Sequence, residues 1–355
     1  MASSVIKKVS ARPSEHVTIF QKTAIGCLVL AVGAMTAIGV TSLLGNKPIP
    51  AEQVAAGSAS TGKEEPQKVY VADSIPTTNL RKPNTITLTE STGKLQTLFR
   101  RIGYELDGVR KRGEVPRILL ASLPPDLPDL PRADQRKMTF IKSTLPLILH
   151  VNEQILHERR RLMSIRSRME AGEKISTENA LWLEDMADLY GAKTANPDAL
   201  LCRVDVVPPS LAIAQAAEES GWGTSRFARE GNALFGQRVY RDNRKGLVPE
   251  DRKEGEVFRV RAFDRLIDGV KAYVHNLNSH FAYDDFRTSR AAMRKQTSKL
   301  NGYDLAGSLI KYSERGAAYI ETIRLIMRTN SLQVFDASHL GAVVEPNKGD
   351  DGPDT

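Results

Sequence analysis

Apolar side chains along this 355-residue chain follow three patterns, and each predicts a different structure. Residues 23–44 carry no charge, and their length matches the ~20 residues a helix needs to cross a bilayer. Residues 45–88 show no periodicity and are rich in Pro, Ala, Ser, Thr and Gly, the composition of a flexible linker. Beyond them the spacing turns helical: Leu95, Leu98, Phe99, Ile102, Leu106 and Val109 predict one amphipathic helix over 94–110. A proline-rich extended connection through Pro124, Pro125, Pro128 and Pro131 follows, then helices over 133–171, kinked at Pro146, and over 177–190. Pro208 and Pro209 announce an alanine-rich helix over 211–220. Turn residues and the alternation of Val257, Arg259 and Arg261 predict a short hairpin over 246–260. Helices return over 266–281, 305–312 and 317–327, and 334–355 reads as a disordered tail. The fold class is mainly α with a small β-hairpin lobe, behind a transmembrane helix.

Charge adds a direction. Lys7, Lys8, Arg12 and Lys22 precede the apolar run against a lone Glu15, which keeps 1–22 cytoplasmic and exports everything after residue 45. The run exceeds the ~7–15 apolar residues of a cleaved signal peptide, so it reads as a single-pass anchor in the inner membrane with the folded part in the periplasm. The net charge of +8 suits a polyanionic neighbour. Lys and Arg are dispersed among acids, however, and no nucleic-acid module accompanies them, so nucleic acid is not the expected partner. The arginine run 159–161 reads as the solvated face of a long helix. Cys27 lies in the apolar run and Cys202 beyond it, which leaves no disulfide framework. His150 and His157 share a helix face but have no third ligand at suitable spacing, so no metal is expected.

Candidate chemistry concentrates in 215–236. A helix of small residues carries Glu218 and Glu219 to its last turn, and Gly221 and Gly223 strip side chains from the chain just beyond. Glycoside hydrolysis needs a carboxylic acid still protonated near neutral pH, and a glutamate hemmed by Ala212, Ala216 and Trp222 meets that need through desolvation. Periodicity does not choose between the two: Glu218 shares a face with Leu211 and Ala214, Glu219 with Ala212 and Gln215. An exposed glutamate pair at a capped helix end is the competing account.

The run 214–223 (Ala-Gln-Ala-Ala-Glu-Glu-Ser-Gly-Trp-Gly), followed by 232–236 (Asn-Ala-Leu-Phe-Gly), resembles the signature of the glucosaminidase domains of glycoside hydrolase family 73. Leu98-Phe99, Val115-Pro116-Arg117, the tract 137–152 and the run 312–319 (Tyr-Ser-Glu-Arg-Gly-Ala-Ala-Tyr) extend the resemblance to the bacterial Bax-type family, over roughly 90–330. The resemblance implies a lysozyme-like domain over 201–333, behind a helical region over 89–200, that cleaves N-acetylglucosaminyl β-1,4 linkages of peptidoglycan glycan strands without a cofactor. It implies that Glu219 is the catalytic acid and that a partner carboxylate comes from the hairpin lobe, Glu250 first and Glu254 next. Tyr312 stands where the family has its site tyrosine, with Tyr319 beside it. Gln215, Ser220, Trp222, Asn232, Phe235 and Tyr319 are the expected substrate contacts, although Trp222 wedged under the helix end, Phe235 on the cleft floor and packed tyrosines are equally readable from the residues. Two departures from the family pattern stand out: Ala233 interrupts Asn-Leu-Phe-Gly, and the late aromatic motif is replaced by 312–319. Muramidase or lytic transglycosylase chemistry on the same fold, and a non-catalytic wall-binding scaffold, are the rival functions.

Overall fold

A computed structural model describes residues 84–86, 90–240, 245–250, 252, 255–297 and 299–342, the first three by backbone alone. The expected anchor at 23–44, the residues before it, most of the linker and Glu254 lie outside the described residues. Among the described residues no helix is long and apolar enough to cross a membrane.

The chain is mainly helical with small sheets. It opens with β1 (Asn84–Ile86), α1 (Thr92–Arg101), α2 (Leu106–Arg112), β2 (Glu114–Val115) and β3 (Ile118–Leu120). The long α3 (Ala133–Glu170) follows, then α4 (Thr177–Tyr190), α5 (Pro197–Arg203), α6 (Pro209–Ser220) and α7 (Arg226–Gly231). β4 (Arg238–Val239), β5 (Gly246–Leu247) and β6 (Arg259–Arg261) form an antiparallel sheet in the order β4-β6-β5. The chain continues through α8 (Leu266–Ser279), α9 (Asp284–Gln296), α10 (Gly302–Ala306), α11 (Ala317–Thr329) and β7 (His339–Leu340).

The core is built around α3. Its stretch from Leu145 to Val151 is buried on all sides, which a helix achieves only by running through the interior rather than along the surface. α6 and α8 pack on it from beyond the sequence boundary at residue 200, β3 from before it, and α5 straddles it. One continuous hydrophobic cluster runs from Leu95 to Leu340, so that boundary is not a break in packing. Alanines 212, 214, 216 and 217 of α6 are all buried, and their small side chains let α3, α10 and α11 approach its backbone.

Several elements differ from the sequence pattern. The predicted helix over 94–110 is two helices, because Gly103 turns left-handed at φ 66° and Tyr104 swings back edge-on to Phe99, with ring centroids 5.2 Å apart. The predicted helix over 305–312 shrinks to α10, since Asn301 caps its start with its side chain and turns take over after Ala306. Residues 84–86, assigned to the linker, pair in parallel with β3. The tail assigned from 334 instead begins with a 3-10 turn, Gln333–Ala337, and β7, which pairs in parallel with β2 and buries Phe335 and Leu340. The hairpin at 246–260 gains β4 as a third strand on the far side of β6. α5, α7 and α9 carry no sequence-predicted counterpart. α9 escapes the apolar count because its inward face is Phe286, Arg287 and Arg290, and both arginines are buried.

Those arginines close the rear of the molecule. Arg290 Nη1 donates to the carbonyls of Asp205 and Val206 and to Asn278 Oδ1, at 2.9, 3.1 and 2.8 Å, while Nη2 reaches the carbonyls of Cys202 and Arg203. One guanidinium thereby collects carbonyls just past and within the last turn of α5. The buried Asp205 carboxylate takes both arms of Arg294, at 2.9 and 3.0 Å, and lies 3.6 Å from Arg159 of α3. The charge cluster ties α3, α5 and α9 together.

Candidate active site

α6 is positioned at both ends by parts of the chain distant in sequence. Pro208, its N-cap, offers no side-chain acceptor, and Asp336 supplies one: Ser210 donates its N–H to Oδ1 and its hydroxyl to Oδ2, each at 2.8 Å. Gly302 N–H donates to the same Oδ2 at 2.9 Å. A carboxylate here also faces the positive end of the helix. At the other end Gly221, Trp222 and Gly223 are left-handed in succession, at φ 57°, 59° and 79°. Two glycines bear that conformation without strain, whereas Trp222 is held in it by packing. Its ring meets Phe140 of α3 edge-on at 5.8 Å and lies under the Lys137 ammonium at 5.2 Å. A Cβ on Gly223 would lie 2.5 Å from Leu123 Cδ1 and 3.0 Å from Phe140, so the turn presses its bare backbone into the core.

This abrupt stop leaves Glu218 and Glu219 in the last turn with different partners. Arg315 Nη1 donates to Glu218 Oε1 at 2.6 Å, and its Nη2 donates to Thr322 Oγ1 at 2.6 Å. Glu219 has no such cation. Its Oε1 accepts from the Tyr319 hydroxyl at 2.9 Å, and Oε2 faces Gly236, whose Cβ, if it had one, would lie 3.6 Å away. Burial pushes the Glu219 carboxyl up to about 8; the Tyr319 hydroxyl opposes the rise, Glu218 adds to it and Arg315 reduces it. The two glutamates therefore differ in their partners: Glu218 is ion-paired with Arg315, whereas burial raises the Glu219 carboxyl.

Aromatic rings surround the acid. Tyr319 stacks on Tyr312 with centroids 5.4 Å apart and planes 17° off parallel, and Tyr312 meets Tyr283 at 5.9 Å. Tyr273 of α8 donates its hydroxyl to Gln215 Oε1 at 2.7 Å and stacks on Phe235 at 3.8 Å. Gln215 Nε2 in turn donates to the Tyr319 hydroxyl at 3.0 Å. Burial and the nearby Glu219 carboxyl hold the hydroxyls of Tyr273, Tyr312 and Tyr319 well above their ordinary range.

The expected substrate contacts separate on this geometry. Gln215 and Tyr319 are buried behind Glu219: Tyr319 donates to the carboxyl and Gln215 donates to Tyr319. Ser220 is buried too; its hydroxyl donates to the Ala216 carbonyl and accepts from Gly223 N–H, which shapes the helix stop. Asn232 caps α7 in a left-handed conformation and donates to the carbonyls of Phe263 and Asp264, fastening the β lobe to the start of α8. Phe235 is spent on its stack with Tyr273, and Trp222 on α3. Tyr312 is partly buried, stacked between Tyr319 and Tyr283. Glu250 lies on the surface in an ion pair with Arg226 Nε at 3.1 Å, which draws it toward α7 rather than onto Glu219. Tyr273, Tyr283, Arg315 and Gly236 complete the site without having been singled out from the sequence. Tyr273 was visible only as one apolar position on the face of the 266–281 helix, and nothing local to it points to Gln215.

Residues 200–332 match the glucosaminidase family, described as mannosyl-glycoprotein endo-beta-N-acetylglucosaminidase. Over 222 residues the chain is 36% identical to Protein bax of Escherichia coli (strain K12), covering 61% of this chain and 77% of that protein. The chain belongs to the Bax-type family of glucosaminidase-domain proteins. The catalytic domain of the autolysin Auto from Listeria monocytogenes aligns with 49% of this chain and 96% of its own, at 16% identity and a TM-score of 0.29, too distant a likeness to bear on the site.

Proposed function

We propose that this protein is a peptidoglycan hydrolase of lysozyme-like architecture, an endo-β-N-acetylglucosaminidase with Glu219 as general acid. The feature that carries the reading is the carboxyl of Glu219, pushed up to about 8 by burial and facing a glycine on its Oε2 side. A neutral carboxyl can give its proton to the glycosidic oxygen as the bond to the anomeric carbon breaks, and the resulting carboxylate then serves as base toward the incoming water. Tyr312, stacked on Tyr319, stands near the acid. The second carboxylate of the reaction falls to the β lobe, to Glu250 once it leaves Arg226, or to Glu254. Residues 23–44 anchor the chain in the inner membrane and put this site on the periplasmic side, where the wall is.

The test is digestion of purified peptidoglycan by the protein and by Glu219→Gln, with products identified by mass spectrometry. New reducing-end N-acetylglucosamine that disappears with the substitution supports the reading. Anhydromuramic products would instead make the protein a lytic transglycosylase, and activity surviving Glu219→Gln would remove Glu219 from the chemistry.

A further inference from the structure

The hydrogen bonds behind Glu219 have a direction, and it follows from the amide in their middle. A primary amide gives hydrogens only from nitrogen and receives them only at oxygen. Gln215 Oε1 takes the Tyr273 proton and Gln215 Nε2 gives a hydrogen to the Tyr319 oxygen. The one proton Tyr319 owns is then committed to Glu219 Oε1. Gln215, Tyr273 and Tyr319 are all buried, so no bulk water competes for these positions. The lone pair of Oε1 that receives that hydrogen cannot also hold an acid proton, and a proton on the other lone pair would weaken Oε1 as an acceptor. Oε2 has no hydrogen-bond partner among the described residues and looks over Gly236, which favours it as the site of the acid proton.

We infer that Gln215, oriented by Tyr273, is a positioning residue that fixes Tyr319 as a donor and so places the acid proton of Glu219 on Oε2, the oxygen that faces Gly236. The inference rests on the reading of Glu219 as the acid, and it extends that reading from which residue donates to which oxygen does. The charged and titratable groups around the carboxyl are Tyr319 of α11, Tyr312 and Arg315 of the turn before it, Tyr273 of α8, Tyr283 and the neighbouring Glu218.

A committed donor favours the ionised carboxylate, whereas the reversed amide would make Tyr319 an acceptor that favours the neutral acid. The two orientations therefore predict opposite signs. In the full-length protein, carbon-13 titration of the Glu219 carboxyl should show Tyr319→Phe raising its pKa by about one unit, the scale of one hydrogen bond to a charged group. Tyr273→Phe frees the amide to turn and should raise it by less, with no further rise when added to Tyr319→Phe. The basic limb of the activity profile should move by the same amounts. A lower pKa in Tyr319→Phe, or none of these shifts in Tyr273→Phe, overturns the inference. In the unmodified protein, the Gln215 amide hydrogens should show contacts to the Tyr319 ring; contacts to Tyr273 instead would overturn it without any variant. The titration reads the carboxyl whether or not it cleaves glycan, so failure here is distinct from retained activity in Glu219→Gln.

Discussion

At the scale of single residues, the acid is made by what is kept away from it. Arg315 is engaged by Glu218 and Thr322, and a glycine stands where a Cβ would come into contact with Oε2 at 3.6 Å. General acid catalysis is worth about 10²–10⁴ in rate, so Glu219→Gln should lose activity on that scale while remaining folded, read by wall digestion beside circular dichroism. Arg315→Met removes a cation that lowers the Glu219 pKa and unpairs the neighbouring Glu218 charge that raises it. Both changes act in one direction: the basic limb of the pH-rate profile should move up from about 8, and a downward move would contradict the assigned electrostatics. Gly236→Ala imposes a left-handed conformation on a residue with a Cβ, at φ 59°, for roughly 1 kcal/mol of stability. Its loss in kcat/KM should exceed what that small destabilisation explains, because the new methyl stands beside Oε2.

At the scale of elements, the site depends on stopping α6 within one residue of the acid and starting it from a carboxylate supplied by a 3-10 turn at the far end of the chain. Gly223→Ala combines positive φ with a collision against Leu123 and Phe140, and overpacking of this kind costs about 1–3 kcal/mol. Thermal or urea unfolding should register it even though the residue never meets a ligand. Much of this was legible in the sequence. Proline before and glycine after a small-residue run marked α6 closely, and apolar spacing found α3, α4, α8 and α11. What was not legible has a common cause: α9 faces inward with arginines, α10 and the 3-10 turn are set by the side chains of Asn301 and Asp336, and Gln215 acquires its task only when α8 and α11 bring tyrosines to it. A pattern of apolar positions contains no record of polar groups that are satisfied by distant backbone. For the same reason Ser220 and Asn232 resembled ligand contacts until their hydrogen-bond partners were known.

At the scale of the whole molecule, three buried carboxyls bind their protons more tightly folded than unfolded: Glu219 up to about 8, Glu158 up to about 7 and Asp336 up to about 6, each raised mainly by burial. Their stabilisation is complete at low pH and is lost as pH rises through those values. Burial depresses His150 and His275, which work in the opposite sense below their ordinary value near 6.5. Between about pH 7 and 8.5 only the carboxyl effect remains, so the melting temperature should fall across that interval and fall less in Glu158→Gln or Glu219→Gln. Arg290→Met removes the guanidinium donor from the carbonyls of Cys202 and Val206 and leaves Asp205 with one cation fewer, a change on the order of 3–5 kcal/mol that should appear as a lower urea midpoint. The glucosaminidase segment 200–332 excludes α3, on which α6 and α8 rest, and α1 to α3 are therefore part of the folded core rather than a detachable cover. The pairing of β2 with β7, reinforced by Arg117 donating to the Gly341 carbonyl 224 residues away, has a consequence for the order of folding. Loop closure over that distance comes late in folding. Because Asp336 lies in the same returning segment, α6 gains the carboxylate at its N-terminus only once residues more than a hundred positions apart have met, so the start of this helix is among the last features of the fold to be secured.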